Sequence, residues 1–366
     1  MAKIHLIKNE MLRALAAPLS GGHAALYVKP TIAAIYITTF CNSRCTMCDF
    51  WRNEKDPNEL SSEQWGIIFS RLKAFGVEYI GVNASGELFT RKDAFKILSH
   101  IKDLGMDFGV NSNATLFTSS KSKQLAKLNP RAVTIGLEGV GNEMYLATRG
   151  LKNGFNKITR SIENLKNAGI SNIGIGTVLM RENIDHWVKL VEWARDTGIS
   201  GVRFTAQHDS YFNPASDPKM SSYTNPEFIK KVESEIEKLI LFKKHHGIVR
   251  NSNKYLRQVS DFYKDQMNFF PSPCIQGGNR IELDVYGNVT LCSFLTKSLG
   301  NLLKEDMNTI WNSEIHKKAK HDAFEGKCPR CYLSCYAEEN LRLSPSGVLP
   351  TMSNSIERGI RLLAKS

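Results

Sequence analysis

The sequence predicts an α/β fold: a partial (β/α)6 barrel followed by a cysteine-rich module. Three observations predict it. Helix-period segments alternate with six short β-rich runs, the strands carry polar residues on one face, and the cysteines fall into two separate groups. Strands joined by helices at this spacing pair in parallel through right-handed crossovers. A flat sheet covered by helices on both sides would need both strand faces apolar, so the polar face implies a sheet curved around a wet lumen.

The elements follow in order. "TIAAIYIT" is the first strand, and the loop "CNSRCTMCDF" comes directly after it. "SSEQWGIIFSRLKAFG" reads as a helix with a capping box from Ser61 to Gln64, an apolar face of Trp65, Ile68, Phe69 and Leu72, and a stop at Gly76. The strand "VEYIGVN" follows. The pattern recurs as helix 92–104 and strand 107–111, helix 119–128 and strand 132–137, helix 155–168 and strand 172–179, and helix 184–197 and strand 201–206. In "AVTIGLE", Val133, Ile135 and Leu137 face the helices and Thr134, Gly136 and Glu138 face the lumen. In "VRFTAQ" the lumen set is Arg203, Thr205 and Gln207.

After 208 the rhythm breaks. Pro226 opens a helix with Phe228, Val232, Ile236 and Ile240 on one side, ending near Gly247. "RIELDVYGNVTLCS" reads as a hairpin turning at Gly287-Asn288. The expected division is an N-terminal extension over 1–30, the barrel over 31–213, a helical linker over 214–270 and the cysteine-rich module over 271–366.

Composition narrows the class. At 366 residues with 42% hydrophobic and 23% charged, the chain fits a soluble enzyme better than a disordered or membrane chain. No apolar run reaches the ~18 residues of a spanning helix, and Glu10 and Arg13 interrupt the N-terminal Ala/Leu stretch, so a cytoplasmic protein with no membrane partner is expected. The net charge of +12 admits an acidic small molecule, a nucleotide or an RNA as partner. The lysines are spread over helices that also carry glutamates, which favours a solvated surface over a nucleic-acid interface.

Eight cysteines in such a chain point to metal or redox chemistry rather than disulfides. Cys41, Cys45 and Cys48 form C-x3-C-x2-C, and no fourth cysteine stands nearby to close a structural zinc site. A cubane of four irons held by three thiolates leaves one iron open to another ligand.

This loop after the first barrel strand resembles the radical S-adenosylmethionine (SAM) enzymes, whose barrel is TIM-like. The resemblance implies that Cys41, Cys45 and Cys48 hold a 4Fe-4S cluster whose open iron chelates SAM. Reductive cleavage of SAM then gives a 5'-deoxyadenosyl radical. It also implies cofactor contacts at matching positions: Gly86 and Glu87 in "ASGELF" for the methionine amine, and Asn113 in "NSNATLF" after the third strand. Arg149, in the Arg149-Gly150 pair, matches a partner for the methionine carboxylate, and Met47 and Leu179 match apolar contacts to the adenine. Gly136 stands where the family often has serine.

The later cysteines, Cys274, Cys292, Cys328, Cys331 and Cys335, with Gly287 before Cys292 and "GNLLKEDMNTIWNSE", resemble the SPASM module and its shorter form, twitch. A full SPASM module generally needs seven or eight cysteines, so five favour the twitch form. One auxiliary 4Fe-4S cluster on Cys274, Cys292, Cys328 and Cys331 is implied, as in 2-deoxy-scyllo-inosamine dehydrogenase-like enzymes. Cys335 is left over as a structural thiol, an alternative ligand or a hydrogen-atom donor.

The expected activity is therefore that of a radical SAM oxidoreductase, of dehydrogenase or epimerase type, acting on a small carbohydrate-like or natural-product precursor. Cys335 and Arg203 are the candidate catalytic residues, and an electron donor such as flavodoxin or ferredoxin is implied. Modification of a ribosomal peptide, by cross-link or epimerisation, is the alternative. An iron-sulfur or zinc protein that binds RNA without radical chemistry is the reading from another class.

Overall fold

The computed structural model describes residues 20–83, 85–208 and 223–342. Most of the expected N-terminal extension, residues 209–222 and the C-terminal stretch from 343 lie outside the described residues.

Six parallel strands stand in sequential neighbour order: β1 (Ile32–Tyr36), β2 (Tyr79–Asn83), β3 (Asp107–Ser112), β4 (Ala132–Gly136), β5 (Ile173–Leu179) and β6 (Gly201–Ala206). Their alternation sets the layers. In β4, Val133 and Ile135 are fully buried under helices, whereas Thr134 and Gly136 line the central cavity, as the sequence pattern predicts. Each crossover helix supplies an apolar stripe to the outer layer. The helix Ser62–Phe75 buries Trp65, Ile68, Phe69 and Leu72; its capping box forms, with Ser61 Oγ accepting from the Gln64 amide and Gln64 Oε1 from the Ser61 amide. Gly76 ends the helix in the left-handed conformation.

Two features depart from the expected outline. An extra helix, Asn142–Arg149, sits between β4 and the helix Gly154–Asn167. The hairpin of the cysteine-rich module is also not a separate sheet. Its strands β7 (Ile281–Leu283) and β8 (Val289–Thr290) pair antiparallel, and β7 pairs parallel with β1, placing Ala33 beside Ile281 and Ile35 beside Leu283. A hairpin this short is marginal alone, and the open edge of the barrel at β1 supplies its missing neighbour. The sheet therefore has eight strands, in the order β6-β5-β4-β3-β2-β1-β7-β8.

The helices Pro226–His246 and Asn253–Lys264 cover the other edge, near β6. Asn251 hydrogen-bonds both the amide and the carbonyl of Phe204, and Tyr255 Oη accepts from the Ala206 amide. The hairpin at β1 and the two helices at β6 thus flank the two edges of the barrel sheet. Among the described residues no helix is long and apolar enough to cross a membrane.

Candidate active site

One cavity of about 870 Å³ occupies the lumen, lined by the first cysteine loop at one end and by Cys335, Arg280 and Glu282 of the second module at the other. The loop bearing Cys41, Cys45 and Cys48 follows β1 and is tied from two directions. The Arg44 amide donates to the Arg149 carbonyl and the Thr46 amide to the Thr148 carbonyl. Asn113, after β3, donates through Nδ2 to Asn42 Oδ1 (2.8 Å) and Ser43 Oγ (3.0 Å), with the same nitrogen 3.9 Å from Cys41 Sγ.

Burial pushes all three thiols up in pKa, Cys45 to about 12, with Arg149 opposing the shift at Cys45. Thiols that resist ionisation in the free protein ionise when a cationic metal centre compensates them.

Gly86 and Glu87 follow β2 and line the cavity. A side chain on Gly86 would collide with the Phe40 carbonyl and come within 2.8 Å of the Thr38 carbonyl, so only glycine lets the two loops touch. Glu87 is buried, and its carboxylate accepts from Ser112 Oγ (2.9 and 3.0 Å), the Asn113 amide (2.7 Å) and the Phe89 amide (3.3 Å). Burial raises its pKa, and these donors pull the other way. It acts locally as a clamp between the β2 and β3 loops.

Arg149 lines the cavity and grips Glu138 through both Nε and Nη2, the latter at 2.9 Å from Oε1. Its Nη1 lies 3.9 Å from Cys45 Sγ. Two of its three nitrogens are therefore engaged, and Nη1 faces the cysteine loop. Burial alone would lower the Arg149 pKa, but the charges of Glu138 and Cys45 outweigh it and hold the group above its ordinary value. The Arg149 guanidinium also explains Gly136, since a Cβ there would collide with it.

Met47 lines the cavity beside Cys48. Leu179 does not, and the expected adenine contact is corrected on this point. The two-residue alternation of β5 sends Leu179 into the buried core and turns Val178 to the lumen. Arg203 and Thr205 of β6 face the lumen as expected. Gln207 lies past the cavity, accepting from Tyr223 Oη. Glu138 was visible on the lumen face of the sequence but not recognised as the partner of Arg149; its signal was an acidic residue at that position eleven before an arginine.

The second cysteine group is built differently. Burial raises the pKa of Cys274 to about 11 and pushes up Cys292, Cys328 and Cys331. Cys274 interacts electrostatically with Cys328, Cys292 with Cys274, and Cys331 with both Cys274 and Cys292. Backbone amides of Gln276, Phe294 and Leu333 are directed at the sulfurs of Cys274, Cys292 and Cys331. Gln276, two residues from Cys274, is buried, and its side-chain amide has no hydrogen-bond partner. Four thiols at least half-buried, three of them with a backbone amide aimed at the sulfur, and an orphaned amide alongside are a donor set that fits an iron-sulfur cluster. Among the described residues no three or more His, Cys, Asp or Glu side chains converge on a single metal-ion position.

The peptide carrying Cys331 is fixed to β6. His208 Nε2 accepts from the Tyr332 amide at 2.6 Å, which assigns the proton to Nδ1, donated to the Ala206 carbonyl at 3.0 Å. Tyr332 stacks on Tyr255 with rings 4.5 Å apart. Cys335 packs near Cys331 and Cys292 but also lines the lumen: its carbonyl accepts from Arg280 Nη2 at 2.6 Å, and its thiol feels Arg280, Glu282 and Arg203.

A partial barrel with a three-thiol loop at its mouth and a second thiol group across the lumen defines an iron-sulfur enzyme that works inside its barrel. Residues 35–194 match the Radical SAM superfamily, and residues 274–335 match SPASM, an iron-sulfur cluster-binding domain. The chain thus carries a radical SAM domain followed by a SPASM-type domain. These domains mark two 4Fe-4S clusters, one that binds SAM and one auxiliary.

Relatives include the AdoMet-dependent heme synthase of Methanosarcina barkeri, 22% identical over 82% of this chain and 88% of the relative. Another is the sporulation killing factor maturation protein SkfB of Bacillus subtilis, 23% identical over 82% of this chain and 69% of the relative. Among solved structures, Streptococcus suis SuiB bound to precursor peptide SuiA superposes with a TM-score of 0.62 at 15% identity, over 80% of this chain and 67% of that one. anSMEcpe with bound AdoMet gives 0.61 at 16% identity, over 91% of this chain and 98% of that one. These likenesses show the fold.

Proposed function

We propose that this chain cleaves SAM reductively and takes a hydrogen atom from a substrate held in the lumen, then returns one from Cys335. The observation that carries this reading is that Cys41, Cys45, Cys48 and Cys335 line the same cavity from different elements. When bound, a reduced cluster with SAM supplies a carbon-centred radical able to break an unactivated C–H bond.

The chain's own residues do the rest. Cys41, Cys45 and Cys48 would ligate three irons, with Asn113 and Arg149 bracing their loop and Gly86 allowing its close approach to the β2 loop. Met47 and Val178 offer apolar surface to the adenine. Cys274, Cys292, Cys328 and Cys331 would ligate the auxiliary cluster. Cys335 Sγ–H gives its hydrogen atom to the substrate radical, and the resulting sulfur radical is reset by one electron from a reduced iron-sulfur centre and one proton. Hydrogen removed from one face and returned on another gives epimerisation.

Oxidation is the second reading, favoured by Glu282: its Oε2 is buried at the lumen with no hydrogen-bond partner and can accept the proton of a substrate that loses a second electron. The relatives' names speak of maturation and biosynthesis, and none of the relatives compared above is a carbohydrate enzyme by name. The reading therefore takes a peptide or a small natural-product precursor as substrate. A flavodoxin or ferredoxin is the matching electron donor, and the net charge of +12 suits docking of an acidic carrier.

Anaerobic reconstitution tests the assignment. About eight irons per chain are expected, falling to about four when Cys41, Cys45 and Cys48 are replaced by alanine. Deoxyadenosine should form with dithionite in the wild type and not in that variant. Full iron content in the triple variant contradicts the ligand assignment. Solvent deuterium entering the product in wild type but not in Cys335→Ala separates hydrogen return from oxidation.

A further inference from the structure

The lumen carries more positive charge than its known tasks use. Arg149 is neutralised by Glu138 at the cysteine-loop end, and Arg280 sits beside Glu282 at the other. Arg203 has no such partner. It projects from β6 into the lumen and, among the described residues, makes no hydrogen bond or ion pair. Its side chain is exposed and keeps all its donors available to an anion that enters the lumen.

Three further observations point the same way. Thr205, next along the lumen face of β6, shares a 2.6 Å hydrogen bond with Ser334, and Arg203 acts electrostatically on Cys335, which brings both to the start of the helix Ser334–Arg342. The first residues of that helix, Ser334, Cys335 and Tyr336, line the cavity and turn its positive end inward. Arg280 Nε is buried without a hydrogen-bond partner, although Nη2 of the same group is held by the Cys335 carbonyl. A buried donor left unsatisfied is costly, and in a cavity wall it marks a place where a ligand acceptor belongs.

The acidic group of this cluster is placed to receive a donor. Glu282 is 1% exposed, and its Oε1 accepts from Tyr336 Oη at 2.6 Å, with the Tyr36 hydroxyl and the Ser293 amide also directed at the carboxylate. Its Oε2 lacks a hydrogen-bond partner. The wall therefore offers unused donors on Arg203 and Arg280 and an unused acceptor on Glu282.

We propose that this wall is a substrate subsite for an anionic group, a carboxylate or a phosphate, bound by Arg203 and Arg280, with a hydroxyl or amine of the same substrate donating to Glu282 Oε2. This deepens the reading of the lumen as the reaction chamber and rests on it. It selects an acidic substrate, a hydroxy acid, an amino acid residue with a free carboxylate or a phosphate ester, over a neutral sugar.

The test is a calorimetric titration of the reconstituted holoenzyme with SAM and no reductant, at constant ionic strength. The probes are glutamate (carboxylates and an amine), glutarate (carboxylates alone), inorganic phosphate, and neutral myo-inositol. Glutamate or phosphate should bind more tightly than myo-inositol, and whichever binds identifies the anion class. Arg203→Met should weaken anion binding about tenfold or more, with Arg203→Lys recovering part of it. Glu282→Gln should erase the preference for glutamate over glutarate. Equal or tighter binding of myo-inositol, no measurable binding of either anion, or unchanged anion affinity in Arg203→Met would overturn the subsite. Deoxyadenosine formation, measured in parallel on the wild type, reports on the radical reading by itself: its absence would sink that reading without deciding the titration.

Discussion

Glu138 and Arg149 form a two-point ion pair at the mouth of the barrel, with Glu138 fully out of solvent and the Arg149 side chain 12% exposed. The pair links the end of β4 to the helix Asn142–Arg149, and the carbonyl of Arg149 receives the amide of Arg44 in the cysteine loop. Removing one partner of a buried pair leaves an uncompensated charge, which typically costs about 3 to 5 kcal/mol. Glu138→Gln is therefore expected to destabilise the fold by about 3 kcal/mol and to lower iron retained at the first site. Denaturant titration and iron counting check both.

The space beside Arg149 is closed by the absence of a side chain at position 136. Gly136→Ser would push its Cβ into the guanidinium. Overpacking of this kind costs about 1 to 3 kcal/mol. Gly136→Ser alone should lower the melting temperature. A double variant with Arg149→Ala should show less than the sum of the two single effects, because the clash is gone.

How far this site could be read beforehand depended on periodicity. The inward and outward faces of β4 followed from alternation, and so did the lumen position of Arg203. On β5 the period of two gives the lumen to Val178 and the core to Leu179, which a match of Leu179 to the adenine by resemblance does not take into account. The pairing of β7 with β1 was not legible, since it joins segments some 250 residues apart and a three-residue strand has no period of its own. Glu138 and Arg149 were both visible as residues, but nothing local in the chain says that the helix Asn142–Arg149 folds one back onto the other. The cysteine groups were legible because ligand spacing is local in sequence; the position of Cys335, facing the lumen, required the fold.

His208 makes the module's attachment sensitive to acid. Burial lowers its pKa to about 3, opposed only weakly by the Ala206 carbonyl, and the bond from the Tyr332 amide requires Nε2 to be unprotonated. The unfolded chain takes up this proton near pH 6.5 and the folded chain does not until about 3, so the contribution is present above the unfolded value and is lost as pH falls between them. Between pH 7 and pH 5 this one group should remove on the order of 2 kcal/mol of stability. Denaturant unfolding of wild type and His208→Gln at the two pH values should show a smaller pH effect in the variant. An equal pH effect in both would mean that His208 is not the titrating group.

Cys331 and Cys335 are four residues apart, yet they are expected to answer differently to the same substitution. Cys331 feels Cys274, Cys292 and Cys335 and is not among the residues that line the lumen, whereas Cys335 lines it with Arg280 and Glu282. Cys331→Ala removes one of four thiols and should lower the reconstituted iron count from about eight towards about four. Cys335→Ala should keep about eight irons, with the low-temperature paramagnetic spectrum of the reduced auxiliary cluster unchanged, because no iron bond is lost. The two variants therefore separate ligand from lumen thiol without any knowledge of the substrate. If Cys335→Ala loses iron as Cys331→Ala does, the thiol belongs to the cluster and hydrogen return must come from another group. If both keep full iron, the four-thiol set is wrong and the auxiliary ligands must be sought among the remaining cysteines.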